Sequence, residues 1–177
     1  YAAVADSFFG VEITQTDVAT WTIANRGELE TVRFDAARDA RVDMAASEGV
    51  LGASHANGAL YVALDPAVPR AKVALRRAGT AAEEGGGATP FPLLVSSRWT
   101  FSDRQGDGCS MTLKARGYGP GEMTWEVKPG SRWRIVAERR GIKLAEMVAT
   151  ADGTGRLSAR LDVPAQEALD LGLSCHG

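Results

Sequence analysis

GVLGASHANGALYVALD, residues 49–65, is the stretch on which the fold turns. Asn57-Gly58 lies between two runs of β-compatible residues. Asn-Gly is the strongest short-range signal for a two-residue type I′ hairpin, because both central positions need positive φ. Leu60, Val62 and Leu64 alternate with Tyr61 and Ala63, so one face of the second strand is apolar. A two-residue turn also sets the pairing: Ala56 faces Ala59, His55 faces Leu60, and Ser54 faces Tyr61. One of only two histidines thereby falls at the rim of an apolar face, and Tyr61 turns the other way.

The same rhythm runs outward in both directions. Residues 8–13, 18–24, 29–34, 41–45, 50–55, 59–65 and 72–77 read as short strands, although YAAVADSFF (1–9) could instead end a helix. Residues 79–92, GTAAEEGGGATPFP, break the pattern, since successive glycines with small and charged neighbours pack no core. Strands resume at 93–101, 109–116, 123–128, 132–138, 142–150, 156–163 and 168–175, separated by turns at Gly106-Asp107-Gly108, GYGPG (117–121), Pro129-Gly130, Arg140-Gly141 and Asp152-Gly153. This spacing predicts an all-β chain of about fourteen short antiparallel strands, a β-sandwich of jelly-roll or immunoglobulin-like type. Residues 1–177 form one sandwich region, or two lobes at 1–78 and 93–177 joined by the glycine-rich loop 79–92. Charge divides unevenly between the halves, with residues 1–87 holding 12 of the 22 acids and 8 of the 20 bases.

A length of 177 residues with 45% apolar and 24% charged content suits a globular core, and a net charge of −2 argues against general nucleic-acid binding. No apolar run of about eighteen residues offers a transmembrane helix. No signal peptide is legible, and Tyr1 is not an initiator methionine, so a mature or excised fragment is expected. Cys109 and Cys175 either pair in an oxidising compartment, closing a long loop for ~4 kcal/mol, or remain two free thiols.

Catalytic signatures are sparse. His55 reads as a turn histidine, and His176 sits at the penultimate position; neither belongs to a nucleophile or metal-ligand motif. No metal site and no cofactor are expected. The acids Glu28, Glu30, Asp103, Asp107, Glu122 and Glu126 fall on polar registers or in turns, and sequence does not pair them across a cleft as a glycosidase requires.

Aromatic rings are the usual means by which a β-protein holds sugar, but Trp21, Trp99, Trp125 and Trp133 all fall on apolar registers and read as core. That leaves Tyr61, Tyr118 at the tip of a glycine-rich turn, and His55 as the candidate carbohydrate contacts. Arg132, Arg134, Arg139 and Arg140 form a candidate basic patch for a partner, or a solvated face that discourages edge pairing.

ANRGELETVRFDAA (24–37), VDMAASEGVLGASHANGALYVALDP (42–66) and VALR (73–76), continued by SSRWTFSD (96–103) and ARGYGPGEMTW (115–125), carry a family likeness. They resemble the region C-terminal to the deacetylase domain in Pel-type bacterial exopolysaccharide deacetylase/hydrolase proteins. The resemblance implies a periplasmic or secreted protein of biofilm exopolysaccharide biosynthesis, acting on a polymer of N-acetylgalactosamine and galactosamine. The family's metal-binding Asp-His-His set has no counterpart here, so the resemblance implies a non-catalytic accessory module that holds polymer or braces an upstream catalytic domain of the same chain. A structural or docking module, and a β-sandwich glycan hydrolase or lyase, are the rival readings.

Overall fold

The computed structural model describes residues 10–35, 39–77 and 92–176. The expected helix end at 1–9 and the loop 79–92, except Pro92, lie outside them. The chain divides into two compact units, Tyr1–Gly87 and Ala88–Gly177. Both are built from antiparallel strands. Among the described residues no helix is long and apolar enough to cross a membrane.

The first unit holds β1 (Glu12–Asp17), β2 (Thr20–Ala24), β3 (Thr31–Phe34), β4 (Ala40–Val42), β5 (Val50–Ala56), β6 (Ala59–Leu64) and β7 (Ala71–Arg77). β1, β2, β7 and β4 lie side by side in that order, and β5, β6 and β3 form a second group. The hairpin has the expected register, Ala56 with Ala59, His55 with Leu60 and Ser54 with Tyr61. Asn57 and Gly58 take φ of 51° and 77°, the left-handed pair that a type I′ turn demands. Leu60, Val62 and Leu64 are buried as the alternation requires. Trp21 of β2 meets Phe34 of β3 edge-on at 5.1 Å between ring centroids, so the apolar faces of the two strand groups touch there.

A buried guanidinium ties the loops of this unit together. Arg26, only 3% exposed, donates from Nε to the Val68 carbonyl at 3.2 Å, from Nη1 to the Leu29 carbonyl at 2.8 Å, and from Nη2 to the Asp65 carbonyl. Burial of that charge is tolerable because its donors find carbonyl oxygens.

The second unit holds β8 (Leu93–Ser97), β9 (Thr100–Asp107), β10 (Ser110–Arg116), β11 (Gly121–Glu126), β12 (Arg132–Arg139), β13 (Ile142–Thr150), β14 (Arg156–Leu161) and β15 (Leu169–Cys175). Five strands follow the order β13, β12, β15, β10, β9, and β11 lies between β14 and β8. Strict alternation in SMTLKAR and RLSARL buries every second residue, which makes one face apolar and leaves the other polar. Met111, Ile135, Leu157, Leu169, Leu171 and Leu173 fill the core, and Phe101 of β9 packs on Trp125 of β11 at 5.6 Å.

Several strand boundaries differ from expectation: the first strand lies at Glu12–Asp17 and not at 8–13, and the 93–109 region is divided differently. Residues 93–101 are not one strand: β8 ends at Ser97, and the chain turns at Arg98-Trp99 into β9, which belongs to the other strand group. The uninterrupted alternation hides this corner. Trp99 makes it, because its indole lies in a cradle formed by the loop after β10. A Cβ on Gly117 or Gly121 would overlap the ring, while one on Gly119 meets open space. The indole Nε1–H donates to the Gly119 carbonyl at 3.1 Å, and the Trp99 amide donates to Ser97 Oγ at 2.9 Å. β9 also runs beyond Phe101 to Asp107, through a bulge in which Asp103 (φ 54°) and Arg104 together oppose Leu113.

Cys109 and Cys175, 66 positions apart in sequence, form a disulfide with Cα atoms 4.9 Å apart. It joins the start of β10 to the end of β15, where the Cys175 amide also donates to the Cys109 carbonyl at 2.8 Å.

The cradle makes Gly117→Ala and Gly121→Ala each costly by about 3 kcal/mol through overpacking. Gly119→Ala costs only ~1 kcal/mol, from its positive φ. Urea unfolding of the three variants checks this ordering, and equal losses would contradict it. The paired substitution Cys109→Ala with Cys175→Ala lowers stability by roughly 4 kcal/mol, read as a thermal shift that reductant reproduces in the unsubstituted protein.

Candidate functional site

The residues singled out from sequence do not converge. Tyr61 lies on β6 in register with Arg33 on β3 and Ser54 on β5. The Arg33 guanidinium stands over its ring, 6.0 Å from the centroid, and pairs with Asp35 at 2.7 Å. One face of the half-buried tyrosine is therefore occupied. His55, opposite Leu60, is exposed and points to the other side of the β5–β6 pair. Tyr118 belongs to the second unit, where it is 78% exposed at the tip of the Trp99 cradle.

The basic patch separates into committed and uncommitted members. Arg134 Nε donates to Glu146 Oε1 at 2.6 Å, and Lys143 Nζ donates to Glu146 Oε2 at 2.5 Å. Hydrogen bonds from Arg134 and then Lys143 hold the Glu146 carboxyl down at about 2. Arg139 donates to the Pro164 carbonyl and to the Glu167 carbonyl, the latter at 3.4 Å. Arg140 (φ 52°) and Gly141 (φ 76°) make the two-residue turn between β12 and β13. Of these four arginines, Arg132 and Arg140 are exposed and make no ion pair among the described residues.

The tryptophans are core residues, with Trp99, Trp125 and Trp133 buried and Trp21 half-buried against Phe34. No ring platform is built from them.

A different site emerges on the polar face of β8, β11 and β14. It is an open cleft of about 560 Å³ lined by side chains that include Ser96, Arg98, Glu122, Thr124, Ser158 and Arg160. Antiparallel register generates it. Thr124 is paired with Ser96 on one side and Ser158 on the other, which puts three hydroxyls in a row across three strands. Thr124 Oγ1 and Ser158 Oγ lie 3.5 Å apart, too far for a strong mutual bond. One step along, Glu122 is paired with Arg160. Its Oε1 receives Arg160 Nη1 at 3.0 Å, and its Oε2 stands 4.0 Å from Arg98 Nη1. On the opposite side of the hydroxyl row, Glu126 and Arg156 pair at 3.6 Å. The wall is placed by the backbone, since the Arg98 amide donates to the Glu122 carbonyl at 2.9 Å.

Chemically, the cleft offers hydroxyls that both donate and accept, guanidiniums that only donate, and a carboxylate already engaged by one of them. Glu122 and Glu126, flagged from sequence as acids on a polar register, are thus held by arginines. The alternation in GEMTWE and RLSARL was the available signal for this face, but which hydroxyl stands beside which carboxylate depends on pairing between strands. No protein-family model, no curated protein and no solved structure matches this chain.

The depressed Glu146 carboxyl makes stability depend on acid. A group whose folded pKa lies below its unfolded value stabilises fully above the unfolded value, here 4.5, and loses that contribution as pH falls toward about 2. Glu146→Gln should flatten the acid limb of a urea-midpoint profile across that window and leave its neutral arm with the same slope. An unchanged acid limb would show that Glu146 does not contribute.

Proposed function

We propose that this chain is a non-catalytic, polysaccharide-holding accessory module of a periplasmic or secreted polysaccharide-modifying protein, each unit being a two-layer β-sandwich. The hydroxyl row of Ser96, Thr124 and Ser158 in its open cleft carries the reading. A sugar chain presents hydroxyls at every residue, and a line of side-chain hydroxyls backed by ordered strands can exchange hydrogen bonds with them at little conformational cost. The spacing of neighbouring strands, ~4.8 Å, is close to the length of one sugar unit, so successive strands address successive units. Support for the compartment comes from the Cys109–Cys175 bridge, which persists where thiols are oxidised. The family resemblance supports an exopolysaccharide system, with the polymer of N-acetylgalactosamine and galactosamine as one ligand to test and an upstream catalytic domain as the partner in cis. Tyr118, 78% exposed in the loop that receives the Trp99 indole, is an exposed ring on the same unit.

Affinity electrophoresis against neutral, N-acetylated, acidic and amino-sugar polymers tests the proposal. Retardation by at least one polymer is expected, with the double variant Ser96→Ala/Ser158→Ala weakening it about tenfold while circular dichroism is unchanged. Failure of every polymer to retard the protein, or retardation indifferent to the double variant, overturns it.

A further inference from the structure

We infer that the cleft of β8, β11 and β14 selects the carboxylate of an acidic sugar residue, with Arg98 as the residue that receives it; this rests on the polysaccharide-holding reading of the same cleft. The two guanidiniums there are unequally satisfied. Arg160 reaches Glu122 at 3.0 Å and Asp162 at 3.4 Å. Arg98 has only the far oxygen of Glu122 at 4.0 Å, beyond hydrogen-bond distance, and its side chain makes no hydrogen bond among the described residues. Its side chain is 57% exposed, so a ligand reaches it without displacing the core.

A guanidinium carries five N–H donors in a planar fork and no acceptor, so whatever completes Arg98 must accept. A carboxylate fits best, because its two oxygens take two parallel N–H bonds, while a sugar hydroxyl takes one and an ammonium group is repelled. The charges of Arg98, Arg160, Glu122 and Asp162 cancel, so discrimination comes from unused donors and not from a net field. Glu122 serves as a brace, bonded to Arg160 through one oxygen and facing Arg98 with the other. Two further constraints pre-set the position of Arg98. Its amide is bonded to the Glu122 carbonyl, and the next residue, Trp99, is locked in the glycine cradle. With the anion held at Arg98, the adjoining hydroxyl row takes the sugar's own hydroxyls. This preference is opposite to the one a deacetylated amino-sugar polymer would need.

Isothermal titration with oligogalacturonate, a neutral galactan oligomer and a galactosamine oligomer of equal length tests the inference. Oligogalacturonate should bind at least about tenfold more tightly than the neutral oligomer, with a margin that shrinks as salt rises. Arg98→Gln should remove that margin and Arg98→Lys restore only part of it, since lysine keeps the charge but not the fork. Arg132→Gln, on β12 and away from the cleft, should leave the margin in place. Equal affinity for neutral and acidic oligomers, tighter binding of the amino oligomer, or a margin that survives Arg98→Gln overturns the carboxylate assignment while leaving the polysaccharide reading intact. Binding of no oligomer, in this assay and to the polymer panel alike, overturns both.

Discussion

Clamping of the Trp99 indole by a loop that must be glycine at two positions is the constraint on which the second unit depends. The ring occupies the space where side chains of Gly117 and Gly121 would stand. That single contact turns the chain from β8 into β9 and sets where β11 begins. It therefore fixes both walls of the cleft, because Arg98 precedes Trp99 and Glu122 follows Gly121. Side chains of about the right size and polarity would suffice for a β-sheet surface. A cleft with a defined donor pattern needs its backbone held, and here a buried aromatic ring supplies that rigidity.

Surface charge in this protein is largely spent on itself. Glu146 takes two cations, Arg160 takes two carboxylates, and Lys114 is bonded to Asp170, which raises the lysine pKa. Exposed pairs of this kind contribute little stability each, but they determine which charges remain available to a ligand. Members of the basic patch differ in how they are paired. Arg134 and Arg139 are held by their own strands and loops, and Arg132 and Arg140 are left on a face where Ile142, Leu144 and Val148 of the edge strand β13 are also exposed. Arg98 is left with only a 4.0 Å contact to Glu122, though no sequence pattern distinguishes it from the other arginines.

The shift from rings to hydroxyls also has a physical cause. A β-protein can hold sugar by stacking or by hydrogen bonding, and stacking needs an aromatic face open to solvent. Three tryptophans have been drawn into the core, where burying a large ring stabilises most. Tyr61 has a guanidinium over one face. The polar side of β8, β11 and β14 instead carries hydroxyls and arginines, which composition alone does not single out.

How much was legible differs from element to element. Asn57-Gly58 determined a hairpin, its turn type and its register by local rules, because only residues that tolerate positive φ fit between two strands and the pleat has period two. The alternation in SMTLKAR and RLSARL likewise determined which side chains are buried, and together these patterns made the chain all-β. Local sequence could not show that 93–101 breaks at Arg98-Trp99, since the cause is a glycine loop more than fifteen positions away. Nor could it show that Cys109 meets Cys175, that Arg33 covers Tyr61, or that Ser96, Thr124 and Ser158 stand in one row. A strand carries its own periodicity in its residues, but its neighbours are chosen by the whole core, and a binding surface made across three strands exists only once that choice is made.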